Sequence, residues 1–335
     1  MPGINERNLS MKIAELGNTI FIAEDTKTPL SRILPRGDKP KQMLSEWPCQ
    51  LYPTRGFEGT MDGSDMTTFE HTEREKLSGY AMWLRTKGWM VTRLAQLTKT
   101  AGVTNEQAKQ AADDSLILAQ MTERQLLSDM DTQAETSSKP YQSRGIFAWL
   151  ASTAQSVLPV PDNFRPAAAC HYTGNLVDYS PAVCEAQLEA MATAKKGPVD
   201  LVLHAGIKLK AQMSSWAQRD PDAEADEAAS LVNYNIDASA KRLIQIVNFF
   251  DFDAGSVKAI PNWYILCNKT TGAATAYTQR SGAFLDNSMW ELCFLDAPAS
   301  YLEPPKSGGP RGYHDEVYIL RGKNPLGQGY VKCAA

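Results

Sequence analysis

The chain has few of the residues on which most enzymes rely: four histidines in 335 residues, at 71, 171, 204 and 314, all far apart. They form no HExxH pair, and the sequence also lacks a P-loop, a GxGxxG after a strand and a GxSxG elbow. Its six cysteines, at 49, 170, 184, 267, 293 and 333, include no CxxC pair, so a zinc framework is not expected. No cofactor, metal or catalytic residue is expected. A disulfide network is not expected either, and the cysteines read as buried or half-buried free thiols. No apolar run approaches the roughly 20 residues of a membrane helix. The opening MPGINERNLSMKIAEL has no signal-peptide core, so the expectation is a soluble, intracellular-type chain without membrane contact. Neither charge sign dominates: 34 Lys and Arg against 38 Asp and Glu give a net charge of -4, which argues against general affinity for nucleic acid. With 43% hydrophobic and 21% charged residues, the chain is not a disordered tail, a collagen or a coiled-coil rod.

What is present is an unusual order of parts. Residues 24–48 carry prolines 29, 35, 40 and 48 with only brief apolar stretches, which predicts an extended arm. Long structureless segments are rare inside compact domains, so this arm is expected to lie on something else, such as a neighbouring copy. Residues 54–75 are polar and glycine-bearing and read as a mobile loop. Residues 76–97 are aromatic and apolar, with Tyr80, Trp83, Trp89 and Val91 at strand-like positions. Together 46–97 read as a partly stranded excursion, exposing side chains that an isolated hairpin cannot bury.

The spacing over 104–131 predicts a helix of about seven turns. Thr104 and Gln107 match a capping box, and Ala108, Ala112, Ser115, Ala119, Thr122 and Leu126 form a stripe of mostly small residues open to close approach. A loop, TSSKPYQSRG, leads to the apolar Ile146–Leu150 patch, and the proline-rich 157–181 reads as an insertion. Residues 182–195 read as an amphipathic helix ended by Gly197-Pro198, followed by a buried strand at 199–204 and a short helix at 206–217. Further on, DFDAG at 251–255 reads as a hairpin turn between two strands, and 284–304 and 314–333 as more strands.

Candidate chemistry is sparse. Cys170 and His171 are adjacent, but neighbours on a strand point apart. Asp113, Asp114 and Glu123 on the long helix read as a solvated face, and Asp251 and Asp253 as turn residues bonding their own backbone. Lys306–Arg311 has the composition of a phosphate loop and equally of an ordinary one. The tryptophans at 47, 83, 89, 149, 216, 263 and 290 do not interleave with basic residues as a stacking platform would, so they read as core or interface.

Taken in order, these parts resemble the major capsid protein of tailed bacteriophages, with the Hong Kong 97-like fold. Thr28-Pro29-Leu30 and Ser45-Glu46-Trp47 resemble its arm and first strand, 50–97 its extended loop, and 104–131 its spine helix. YQSRGIFAWL at 141–150 is similar to a segment after the spine in one branch. Gly197–Leu203 with Lys208 resembles the start of the axial domain, DFDAG its hairpin, and WELCFLDAPASYLEPPK at 290–306 the return strand. Two departures stand out: no helical, charged extension is seen before the arm, and 157–181 has no obvious counterpart.

The resemblance implies an α+β chain with an N-terminal arm at 1–48, an extended loop at 49–100, spine helix and peripheral domain at 101–180, axial domain at 181–297 and a return strand at 298–335. It implies self-assembly through hexamers and pentamers into an icosahedral head around double-stranded DNA, formed in the host cytoplasm. Scaffolding, portal and decoration proteins are the implied partners, and the DNA contact is weak and non-specific. Head-to-tail contacts between identical chains close into rings and shells, and many weak contacts make a stable particle. Trp47, Tyr80, Trp83 and Trp89 are the expected interface residues. An encapsulin-like nanocompartment and a soluble α/β hydrolase or transferase are the competing readings.

Overall fold

The computed structural model of the chain describes residues 27–98 except 53, 55, 68, 70 and 73, then 103, 105–216, the backbone of 235–237 and 242–244, 247–304 and 308–333. The helices are α1 (Pro29–Ile33), α2 (Arg93–Leu97), α3 (Glu106–Leu126), α4 (Ile146–Trp149), α5 (Pro181–Lys195) and α6 (Ile207–Ser215). The strands begin with β1 (Leu44–Gln50), β2 (Arg74–Tyr80), β3 (Met82–Arg85), β4 (Trp89–Met90), β5 (His171–Tyr172), β6 (Val199–Ala205) and β7 (Asn235–Asp237). They continue with β8 (Arg242–Ile244), β9 (Phe249–Phe252), β10 (Gly255–Pro261), β11 (Gly282–Leu285), β12 (Trp290–Glu303), β13 (Arg311–Gly322) and β14 (Gly329–Val331). This is an α+β chain. Its described residues fall into two compact units, one holding Arg85–Leu118 and Ser300–Asp315, the other Thr28–Leu84, Ala119–Ala299 and the chain from Glu316. Among the described residues no helix is long and apolar enough to cross a membrane.

The larger unit is centred on a six-stranded sheet in the order β5-β14-β11-β6-β10-β9. Strand β6 runs parallel to β10 and antiparallel to β11. Its alternating burial puts Val199, Leu201, Leu203 and Ala205 into the core. Leu188 and Met191 of α5 and Leu209 and Met213 of α6 belong to the same buried cluster, with Val257 and Ala259 of β10. Ser180 caps α5 through its hydroxyl, and Pro181 occupies the first helical position, where a missing N–H costs nothing. Pro181 thus starts a helix rather than ending an insertion. The left-handed residue closing α5 is Lys196 (φ 58°), not Gly197. The β9–β10 hairpin turns at Asp253-Ala254, and Gly255 at φ 149° lies so close to Val199 that a Cβ would collide with that residue's carbonyl.

The arm is more ordered than its prolines predict. Its first residues, 1–26, lie outside the described ones. From Pro29 it forms α1, and the N–H groups of Leu30 and Ser31 each donate to a Glu123 carboxylate oxygen at 2.8 Å. Asn262 Nδ2 donates to the same carboxylate at 2.8 Å. Beyond α1 the main chain follows β12: Leu292 N donates to Pro35 O (3.0 Å) and Gly37 N to Leu292 O (3.2 Å). Between 28 and 37, then, the arm lies on its own chain.

The excursion contains a two-stranded antiparallel ladder, β1 with β2, running from Leu44↔Tyr80 to Gln50↔Arg74. The long helix starts at Glu106, with Asn105 Oδ1 accepting from Ala108 N; Thr104, the expected cap, lies outside the described residues. It ends at Leu126, five residues before the expected limit, where Ser128 Oγ turns back to Gln125 O (2.7 Å). The small-residue stripe divides: Ala108, Ala112 and Ser115 are exposed, whereas Thr122 and Leu126 are buried. The expected solvated face is also corrected. Glu123 is fully buried as the acceptor for α1, and Asp114 is buried too, leaving Asp113 paired with Lys109 at 2.5 Å.

Candidate subunit interface

The four residues expected at an interface separate into different environments. Strand β1 alternates, turning Ser45, Trp47 and Cys49 inward and Glu46, Pro48 and Gln50 outward. Trp47 therefore joins its own chain's core. Its Nε1 donates to Gly322 O (2.9 Å), its ring centre lies 5.8 Å from that of Trp149, and the Arg321 guanidinium sits 5.5 Å from it. Trp89 is buried as well, in the smaller unit, where a Cβ at Gly312 would stand 2.9 Å from its ring. Tyr80 is half-buried with its ring 5.6 Å from Tyr141. Strand β3 alternates in turn, burying Leu84 and leaving Trp83 57% exposed.

A larger apolar display lies where the sequence pattern does not mark it. Between β1 and β2, Tyr52, Phe57, Met61, Met66 and Phe69 are all exposed, with Phe57 wholly so. They follow neither strand nor helix period, so no periodicity singles them out. The readable signal is their number in a segment with nowhere to bury them. Large apolar groups left exposed in such number are uncommon on a monomeric protein. In the smaller unit Met90, Leu94, Leu97 and Leu302 are exposed in the same way.

Several buried polar groups tie elements together. Asp114 Oδ2 accepts from Thr86 Oγ1 (2.6 Å), lies 3.0 Å from His314 Nδ1 and accepts from His314 N (3.2 Å). The carboxylate stands between hydroxyl and imidazole, so the ring is not placed to take the hydroxyl's proton. Arg144 is buried, donating to Asp131 (2.7 Å) and to the carbonyls of Val157 and Leu158 (2.8 Å each). Burial lowers the Arg144 pKa, and Asp131 opposes that shift.

Cys170 and His171 are not brought together for metal binding. The Cys170 thiol is pushed up by burial, and His171 stacks on Tyr330 at 4.2 Å with burial lowering its pKa to about 4. Among the described residues no cluster of His, Cys, Asp and Glu is arranged to hold a metal ion. Asp253 is an exposed turn residue, whereas Asp251, expected in the turn, is an exposed residue of β9 opposite Ser256. Of the Lys306–Arg311 loop, Lys306 lies outside the described residues.

A family model described as SU10 major capsid protein matches residues 4–312. No curated protein matches the sequence. Among solved structures, the chain is similar to that of the capsid of Cyanophage P-SCSP1u, at 8% identity and a TM-score of 0.62, covering 99% of this chain and 95% of that one. It is similar to a chain of Mycobacterium phage Bobi at 10% identity and 0.61, with 100% of both covered. A chain from the capsid of a native GTA particle matches at 12% identity and 0.60, with 98% of each covered. At such identities the likeness shows the fold, which is the Hong Kong 97-like one.

Proposed function

The chain belongs to the SU10 major capsid protein family and so builds a capsid shell, and we propose that this shell is the icosahedral head of a tailed phage enclosing double-stranded DNA. Its role is structural and its place is the virion. The nanocompartment and enzyme readings are not favoured. The observation that supports assembly through the excursion is the exposed apolar set Tyr52, Phe57, Met61, Met66 and Phe69, with Trp83 beside it in sequence. A free subunit leaves these groups in water, and a neighbouring copy covers them at about 25 cal/mol for each Å² removed from solvent. Identical chains joined head to tail close into rings, here hexamers and pentamers.

In this reading 1–48 is the arm, 49–100 the extended loop, 101–180 the spine helix with the peripheral domain, 181–297 the axial domain and 298–335 the return strand. Glu123 is the residue through which the spine helix holds the arm. Assembly takes place in the host cytoplasm with a scaffold and a portal, and decoration proteins add to the finished shell. The net charge of -4 suits a container whose contact with DNA is weak.

Sedimentation and negative-stain microscopy of the purified chain, over a range of concentrations and with its co-expressed scaffold, test this reading. Hexamers, pentamers, tubes or shells are the expected result. A chain that stays a monomer or dimer at every concentration, with and without scaffold, overturns it.

A further inference from the structure

The proline-rich stretch 157–181 is the part of the chain that the capsid reading leaves without a role. Its first residues are nevertheless firmly built. Prolines 159 and 161 fix φ on either side of Val160, which is buried and whose N–H donates to Gln155 Oε1 at 3.0 Å. Asp162–Phe164 then form one turn of 3-10 helix, with Phe164 buried. Arg165 ties the turn together, donating to Val160 O at 2.8 Å and pairing with Asp162 at 2.7 Å. This turn leaves Asn163 exposed, and its Nδ2 donates to Glu75 Oε1 at 2.8 Å.

Glu75 stands at one root of the loop between β1 and β2. The alternation of β2 turns it to the same face as the buried Leu77, opposite Cys49 of β1. The other root is held as well: Lys196 Nζ donates to Thr54 Oγ1 at 2.8 Å. Lys196 is the left-handed residue (φ 58°) that closes α5, a backbone position that favours glycine. A lysine there strains the backbone, and its side chain reaches the loop. Between Thr54 and Glu75 lie Phe57, Met61, Met66 and Phe69, all exposed. Trp47 Nε1 and Cys49 Sγ fasten the body of the ladder to Gly322 O and Lys323 O, but these bonds lie short of the loop.

We propose that Asn163 and Lys196 are positioning residues, a two-point brace that pre-orients the loop for a neighbouring copy. The inference rests on the capsid reading above and gives 157–165 its role. An unbraced loop samples many directions, and its apparent affinity falls with the fraction of time spent in the competent one. Both contacts are exposed hydrogen bonds, each shifting that fraction by about two- to tenfold. The brace acts on assembly and not on the fold.

The test compares the full wild-type chain with the Asn163→Ala/Lys196→Gly double variant, each with its scaffold present. Thermal melts are read beside the critical concentration for assembly, measured by light scattering. Glycine suits the left-handed position better than lysine, so the variant is expected to melt no lower than the wild type. Its critical concentration is expected to rise about fivefold or more. Glu75→Gln keeps the acceptor oxygen and is expected to assemble as the wild type does. In dissociated subunits, amide hydrogen exchange at 74–76 is expected to be faster in the double variant. An unchanged critical concentration overturns the proposal. A lower one does so too, because the contacts would then restrain the loop rather than present it. A fall in melting temperature would make the contacts structural, and that or equal exchange in the two chains also overturns it. Microscopy separates the brace from the reading beneath it. A wild type that forms no shells defeats the assembly reading and the brace with it, whereas normal wild-type shells with an unchanged double variant defeat only the brace.

Discussion

His204 lies near the end of β6, with Ile260 and Ala283 opposite it on the flanking strands β10 and β11. It is completely buried, and neither ring nitrogen has a hydrogen-bond partner among the described residues. Burial alone lowers its pKa from 6.5 to about 4, because an imidazolium there has neither water nor a counter-charge. The folded state keeps this ring neutral, while the unfolded chain takes up a proton near pH 6.5. Stability from this group is therefore complete above pH 6.5 and falls as the pH drops toward 4, by roughly 3 kcal/mol at most. His171 adds to the same acid sensitivity, from its half-buried place against Tyr330. Urea unfolding of dissociated subunits at pH 7, 5.5 and 4.5 measures it. A His204→Leu variant is expected to show a shallower loss between pH 6.5 and 4.5 than the wild type; identical slopes would assign the acid sensitivity elsewhere.

At the level of elements, the β9–β10 hairpin depends on one residue. Gly255 has a positive φ of 149° and packs its α-carbon onto the Val199 carbonyl at the start of the parallel β6–β10 ladder. Valine adds both a Cβ collision and a strained backbone, so Gly255→Val is expected to lower stability by roughly 3 kcal/mol or more. A thermal melt unchanged within a degree or two would show that the ladder shifts to accept it. This hairpin was legible in the sequence, because DFDAG between two apolar runs is a local turn signal. So were β6 and the body of α3, whose periods of two and 3.6 persist over many residues. The arm was not legible, for prolines at 29, 35, 40 and 48 argue for extended chain. What makes 29–33 helical is a carboxylate from far along the sequence, Glu123, which accepts its first free N–H groups. Glu123 itself looked solvated for the same reason: a carboxylate on a helix announces no distant donor. The aromatic residues show how a pattern misleads when only one partner is visible. Trp47 and Trp83 both lie on short strands, but the phase of each alternation turns Trp47 toward Trp149 and Trp83 toward solvent.

For the whole molecule, the proposed subunit interface turns that difference in phase into a separation of folding from assembly. The subunit buries Trp47 under Gly322 and Arg321, and leaves Trp83 and the loop residues Tyr52, Phe57, Met61, Met66 and Phe69 in water. The same substitution at the two tryptophans should therefore give opposite failures. Trp47→Asp places a carboxylate in a packed aromatic cluster and is expected to cost roughly 4 kcal/mol or more, yielding little soluble subunit. Trp83→Asp changes an exposed ring, so its melting temperature is expected to stay close to wild type while particles fail to form. Each interface in a shell is weak, but it repeats in every subunit, so a penalty of roughly 1–2 kcal/mol at each one is multiplied around each ring. Sedimentation and microscopy, read beside a thermal melt of each variant, check both arms. Normal particles from Trp83→Asp would remove β3 from the interface and leave the loop between β1 and β2 to carry it. A well-folded Trp47→Asp subunit would show instead that the β1–β2 ladder is free to move off the core.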